Sequence, residues 1–285
     1  TNTSNSCSQS FPVVVPTNTT PVVASASITP GASITCQTNT VVLSSLPTGA
    51  NYTYSWTGPT IVSGGNTANP IVGASGNYSV IVTNTVTGCT NPLGSAGVFV
   101  PTNTVAPTLS LSATSLTTTC GNPTTTVSVS SNSNPNTTYT WTAPASGNIN
   151  NPSISNPTIG GTGVFSVAVT NTINGCVSSV GTVTLVPDVN IPTFSLSSNT
   201  ATITCVDPTP NVTLTSTTTP VTYSWSPVPN SGATNANATF TATGNYTCTI
   251  TNTANGCSTS AAQVAVGINT TVPSVSVTPS VSITC

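Results

Sequence analysis

The side chains able to do chemistry in this 285-residue chain are two aspartates, Asp188 and Asp207, and nine cysteines. Lys, Arg, His, Glu and Met are absent. General acid–base catalysis needs a group that titrates near neutrality, and a Ser or Cys nucleophile needs a base to activate it. Two isolated aspartates supply neither, so no catalytic residue is expected and the chain reads as a non-enzyme. Zinc sites use Cys or His at short spacing, and calcium sites use several carboxylates. No Cys-x(2–4)-Cys occurs, so no metal site and no cofactor is expected.

The missing cations exclude more. Nucleic acid is not an expected partner, because nothing neutralises a phosphate. Lysine-based isopeptide cross-links are ruled out, which leaves the disulfide as the available covalent lock. Charged residues make up 1% of the chain, against about 25% in ordinary domains. Surface charge normally keeps a protein dispersed; glycans are the expected substitute here. Nine Asn-x-Ser/Thr sequons offer N-linked positions: Asn2, Asn18, Asn51, Asn77, Asn136, Asn211, Asn237, Asn245 and Asn269. O-linkage to the abundant Thr and Ser is an equal alternative, and chance sequons in an Asn/Thr/Ser-rich chain are another. No apolar run approaches the 18 residues of a membrane helix, so no membrane insertion is expected.

The elements that position the cysteines repeat three times. The first block carries Ile34-Thr35-Cys36, Val41-Val42-Leu43, Tyr54-Ser55-Trp56, Gly76-Asn77-Tyr78-Ser79-Val80 and Thr87-Gly88-Cys89. The second carries Thr118-Thr119-Cys120, Val127-Ser128-Val129, Tyr139-Thr140-Trp141, Gly163-Val164-Phe165-Ser166-Val167 and Asn174-Gly175-Cys176. The third carries Ile203-Thr204-Cys205, Val212-Thr213-Leu214, Tyr223-Ser224-Trp225, Gly244-Asn245-Tyr246-Thr247-Cys248 and Asn255-Gly256-Cys257. Apolar residues alternate with polar ones inside each block, the period of half-buried antiparallel strands. The fold expected is all-β: a tandem array of three immunoglobulin-like β-sandwiches, with Trp on strand C and Tyr or Phe opening strand F. Pro-rich joints set the boundaries at 21–103, 104–189 and 190–271. Residues 1–20 read as the late strand of a partial repeat, and 272–285 as the first strand of a further one.

The pattern Ile-Thr-Cys … Tyr-x-Trp … Gly-Asn-Tyr-x-Val … Asn-Gly-Cys resembles the immunoglobulin-like and PKD-like repeats of Bacteroidota-type surface adhesins and gliding-motility proteins. That resemblance implies secretion or cell-surface location, tandem sandwiches, and a role in adhesion or display.

Six cysteines recur at fixed places: Cys36, Cys120 and Cys205 close the first strand, and Cys89, Cys176 and Cys257 sit in the F–G turn. Pairing within repeats would join 36–89, 120–176 and 205–257. The two places lie at opposite ends of a sandwich, about 20 Å apart for strands of about seven residues, whereas a disulfide needs Cα atoms within about 7 Å. Pairing across joints, 36–176 and 120–257, is therefore favoured, with the within-repeat scheme kept as the alternative. Cys205 and Cys7 would then bond across a junction with a neighbour, and Cys285 is a further candidate. Cys248 takes the inward place held by Val80 and Val167 and reads as a buried free thiol.

The function expected is a structural subunit or segment of an extracellular filament or adhesin stalk, stiffened by disulfides. The alternative is an adhesin that binds a host surface or polysaccharide through loops 58–70 and 142–157. The offset ends fit either a window cut from a longer array or head-to-tail self-association into a filament, with strand exchange through residues 1–20 and 273–285.

Overall fold

A computed structural model describes residues 3–261, 263–278 and 282–283, so the sequon at Asn2 and the candidate thiol Cys285 lie outside the described residues. The described residues contain strands and no helix.

The first repeat supplies β1 (Ser25–Ile28), β2 (Ile34–Thr35), β3 (Val41–Leu46), β4 (Tyr52–Thr57), β5 (Ile61–Ser63), β6 (Ile71–Val72), β7 (Gly76–Asn84), β8 (Gly97–Val100) and β9 (Thr102–Asn103). One sheet has the order β1-β3-β6-β5 and the other β4-β7-β8. These are the A-B-E-D and C-F-G sheets of an immunoglobulin-like sandwich.

The second repeat supplies β10 (Ser110–Leu111), β11 (Ser115–Thr119), β12 (Thr124–Thr126), β13 (Val129–Ser130), β14 (Thr137–Thr142), β15 (Gly147–Asn150), β16 (Thr158–Gly161), β17 (Gly163–Asn171) and β18 (Gly181–Asp188). The third supplies β19 (Phe194–Leu196), β20 (Thr200–Thr204), β21 (Asn211–Ser216), β22 (Val221–Ser226), β23 (Asn237–Thr239), β24 (Gly244–Asn252), β25 (Ser258–Ser260) and β26 (Val264–Asn269). Their C-F-G sheets have the orders β11-β18-β17-β14 and β20-β26-β24-β22.

The strand that ends at each corner cysteine differs from the expected strand A. It is a separate short strand (β2, β11 or β20) that pairs parallel with the last strand of its repeat. A local break lets the chain leave one sheet and join the other: Pro30-Gly31 in the first repeat, Ser197-Ser198-Asn199 in the third. Alternation alone does not reveal such a switch, because both halves keep period two.

The expected period-two burial is present. Val41, Leu43 and Ser45 point inward from β3, and Val212 and Leu214 from β21. The first core gathers Trp56, Tyr78, Val80, Val82, Leu43, Val72 and Val100. The third gathers Trp225, Phe240, Tyr246, Cys248, Ile250, Leu214 and Val264. In the second repeat Val127, Trp141, Ile159, Phe165, Val167, Val183 and Leu185 are buried. Each indole N–H has a backbone acceptor: Thr67 O at 3.0 Å, Ile154 O at 3.1 Å and Asn235 O at 3.1 Å. The Tyr78 hydroxyl donates to Ala74 O at 2.9 Å and Tyr246 to Ala242 O at 3.1 Å. That is the tyrosine corner of this fold.

Two compact units divide the chain. One holds Thr1–Leu109, Ser131–Thr138 and Ala168–Ser179; the other holds Ser110–Ser130, Tyr139–Val167 and Val180–Cys285. The first unit thus contains the first repeat with the F–G turn of the second. The other contains most of the second repeat's strands, its corner included, with the whole of the third. Residues 6–24 and 270–278 form no strand. An extended segment becomes one only where another strand takes its N–H and C=O groups.

Candidate functional site

Each joint is built from a corner, a linker and a turn. The corner is Thr-Cys-x-x. Thr35 N–H donates to Thr38 O at 2.8 Å, and Thr119 N–H to Asn122 O at 2.9 Å. The threonine hydroxyl accepts the return bond, from Thr38 N–H at 2.8 Å and from Asn122 N–H at 3.1 Å. The cysteine is therefore fixed at the tip of a tight turn. The linker leaves the last strand beside that corner, because the parallel pairing places Asn103 beside Thr35 and Asp188 beside Thr119.

The F–G turn enters between them. In the first unit Asn174 is buried, and its amide donates to Asn103 Oδ1 at 3.0 Å and to Val105 O at 2.9 Å. Its own Oδ1 accepts from Cys176 N–H at 2.9 Å, and its carbonyl accepts from Gln37 N–H at 3.3 Å. The other unit repeats this atom for atom. Asn255 donates to Asp188 Oδ1 at 3.1 Å and to Asn190 O at 2.9 Å, and accepts from Cys257 N–H at 3.0 Å. Gly121 N–H donates to Asn255 O at 3.0 Å. A buried amide left without partners would cost about 1–3 kcal/mol. Here both amides are saturated.

Disulfides close both joints. Cys36 is bonded to Cys176 with Cα atoms 5.0 Å apart, and Cys120 to Cys257 at 4.9 Å. These are the cross-joint partners; Cys89 and Cys205, which the within-repeat scheme would also bond, are free. The glycine between Asn and Cys is required twice over. Gly175 and Gly256 have φ of 70° and 72°, in the left-handed region. A Cβ on Gly256 would stand 2.8 Å from the Gly121 backbone, and one on Gly175 would stand 2.6 Å from Gln37 Cβ.

Sequence reasoning missed the clamp residues. It read Asp188 as an isolated carboxylate and placed Asn174 and Asn255 only as members of the Asn-Gly-Cys blocks. The signal lay in the spacing, since Asn103 and Asp188 each stand four residues before a linker proline, Pro107 and Pro192. The hydrogen bond from the Asn255 side chain, and then that from the Asn190 backbone, hold the Asp188 carboxyl below its ordinary range. A depressed carboxylate contributes stability above its unfolded pKa and loses it as pH falls through the folded one. The second joint is therefore expected to weaken in acid below about pH 4, while the first, built on Asn103, does not. Thermal melts of the reduced protein between pH 6 and pH 2 check this, and Asp188→Asn is expected to flatten the acid response.

The other expected site residues are placed as follows. Cys7 and Cys205 are exposed and free, Cys89 is partly exposed and free, and Cys248 is free and buried in the third core. Burial pushes the Cys248 thiol up. A thiol reagent is expected to label Cys7 and Cys205 in the folded chain within minutes and Cys248 only after unfolding, read by mass. Asn18, Asn51, Asn77, Asn136, Asn211, Asn237, Asn245 and Asn269 are all exposed. The stretches considered as binding loops are less free than expected. Residues 61–63 and 147–150 are strands β5 and β15, and Thr67 O and Ile154 O cap the buried indoles.

No family model matches the chain, and no curated protein matches it. Solved structures do align. Three N-terminal domains of the Highly Immunogenic Outer Capsid protein of bacteriophage RB49 are 11% identical, covering 87% of this chain and 100% of that one, with a TM-score of 0.36. Immunoglobulin domains 1–5 of Sidekick-1 are 12% identical over 86% of this chain and 59% of that one, with a TM-score of 0.29. A C-terminal fragment of intimin, solved with the intimin-binding domain of its translocated receptor, is 11% identical over 64% of this chain and 69% of that one, at 0.31. The immunoglobulin-like reading rests on the strand order described above.

Proposed function

We propose that this chain is a non-catalytic, load-bearing segment of an extracellular stalk or filament, glycosylated on its exposed sequons and continued head to tail through its end segments. The observation that carries the reading is the overlap of the two disulfides. Cys36–Cys176 and Cys120–Cys257 interlock, because Cys120 lies inside the first loop and Cys176 inside the second. Under tension the shortest covalent path from Cys36 to Cys257 crosses to Cys176, runs back to Cys120 and crosses again. At about 3.4 Å per residue that path extends to about 200 Å, whereas the open chain between the same cysteines extends to about 750 Å. A folded array joined in this way can lengthen only to that limit when a repeat is pulled open.

Several features support an extracellular setting. The joint disulfides would be reduced in a cytosolic thiol pool. The sequence also resembles surface adhesin repeats, and its near-total lack of charge suits a sugar-coated exterior. Single-molecule pulling from the two ends tests the mechanical reading. Stretching the oxidised chain should release at most about 200 Å between Cys36 and Cys257, rising about fourfold after reduction. Equal contour lengths before and after reduction would remove the basis for the proposal.

A further inference from the structure

The corner of the third repeat is built like the other two, yet among the described residues no turn is seated on it. Thr204 N–H donates to Asp207 O at 2.9 Å, and Asp207 N–H returns to Thr204 Oγ1 at 2.9 Å. Parallel pairing places Asn269 beside Thr204, where Asn103 and Asp188 stand in the occupied joints. Asn269 Oδ1 accepts from Thr271 N–H at 3.4 Å, as Asp188 Oδ1 accepts from Asn190 N–H at 3.2 Å. Cys205 Sγ lies 3.9 Å from Thr270 O, and the bonded Cys36 Sγ lies 4.0 Å from Thr104 O. Around this corner Val206 is 95% exposed, Val272 76% and Ile268 61%.

Among the described residues, two turns with an unbonded cysteine have the form that fills such a corner. Asn5-Ser6-Cys7 and Thr87-Gly88-Cys89 both carry the left-handed middle residue, with φ of 58° at Ser6 and 74° at Gly88. In both, the cysteine N–H is held by the side chain two residues earlier: Asn5 Oδ1 at 3.1 Å and Thr87 Oγ1 at 3.3 Å. Packing decides between them. In the first joint a Cβ on the middle glycine would stand 2.6 Å from the Cβ of Gln37, the residue after the corner cysteine. Val206 follows Cys205 and also carries a Cβ, so Ser6 collides where Gly88 fits. The pairing of Cys205 with Cys7 expected from sequence is thereby disfavoured.

We propose that the corner formed by Cys205, Val206, Asn269 and Thr271 receives the Thr87-Gly88-Cys89 turn of a second copy of this chain, and that a Cys205–Cys89 disulfide seals the junction. The place beside that turn is held in the single chain by Asn18-Thr19-Thr20, with Asn18 O 3.3 Å from Cys89 Sγ and Thr20 N–H donating to Asn18 Oδ1 at 3.1 Å. Asn269-Thr270-Thr271 is the same tripeptide with the same side-chain turn, so the exchange is like for like. Residues 3–20 are exposed throughout, which leaves them little to lose on displacement. Thr87 Oγ1 then donates to Asn269 Oδ1, in the role of the Asn174 and Asn255 amides. Formation of the S–S bond releases two thiol protons and two electrons, which reduce one molecule of a small disulfide such as oxidised glutathione to two thiols.

The inference rests on the joint geometry behind the proposed function, and one experiment separates the two. Sugar-free chain is incubated with oxidised glutathione, digested with thermolysin without reduction and mapped by mass. Cys205–Cys89 peptides are expected between copies, exceeding Cys205–Cys7 by roughly tenfold or more, the order of an overpacked contact. Cys89→Ser should remove them, and Ser6→Gly should bring Cys205–Cys7 up to a comparable level. A map in which Cys205–Cys7 dominates in the native chain, or in which Cys205 acquires no partner copy, overturns the inference. Absence of 36–176 and 120–257 from the same map would instead remove the two joints that the third corner imitates.

Discussion

Reduction of Cys36–Cys176 and Cys120–Cys257 is expected to lower the melting temperature by on the order of 10–20 °C and to split one transition into several. A bridge typically contributes about 2–4 kcal/mol, and about 1 kcal/mol moves the midpoint of a domain of this size by about 4–8 °C. The splitting follows from where the bonds lie. Each ties a corner of one repeat to the turn of the next, so each transmits the stability of one sandwich to its neighbour. Once they open, the clamps of Asn174 and Asn255 still hold the joints at their hydrogen-bonded amides, with the cooperative link weakened. Calorimetry of oxidised and reduced protein at one pH measures both effects. A single unchanged transition would show that the bridges carry no such coupling.

Trp225→Ala is expected to cost about 3–5 kcal/mol and to unfold the third repeat at a temperature roughly 15 °C or more below the parent. The indole is 3% exposed, stands edge-on to Phe240 with ring centroids 5.8 Å apart, and pairs across the sheet with Cys248. Its removal opens a cavity and strips the Asn235 carbonyl of its donor. Trp56 and Trp141 hold the same place at 5% exposure each, so the equivalent substitutions should act alike in their own repeats. Thermal melts followed by circular dichroism give the shift. A sugar-stacking tryptophan would lose binding while leaving the melt in place.

The strand pattern was legible in the sequence because inward and outward residues alternate cleanly in a chain with so few side-chain types. Val212, Leu214, Tyr78 and Val80 could be placed by period alone, and they are buried. For the cysteines, strand length favoured partners across the joints and left pairing within repeats as the alternative; the structure bonds Cys36 to Cys176 and Cys120 to Cys257. The parallel strands β2, β11 and β20 were not legible, because the chain changes sheets without changing period. Nor was the clamp. Asn174 and Asn255 look like ordinary turn residues until the linker residues Asn103 and Asp188 are brought against them, and that approach is a property of the joint rather than of either segment. Ser6 and Gly88 could not be told apart for the same reason. Only the Gln37 and Gly121 contacts show that the turn must arrive without a Cβ.

The joints are the centre of the structural reading, and their covalent chemistry can be read directly. Trypsin has no site in a chain without Lys or Arg, so thermolysin digestion of the oxidised protein without reduction, followed by mass mapping, is the measurement of choice. Peptides joining Cys36 to Cys176 and Cys120 to Cys257 are the expected result. Peptides joining Cys36 to Cys89 and Cys120 to Cys176 would contradict it, placing each bridge inside a repeat and leaving the joints without a covalent lock.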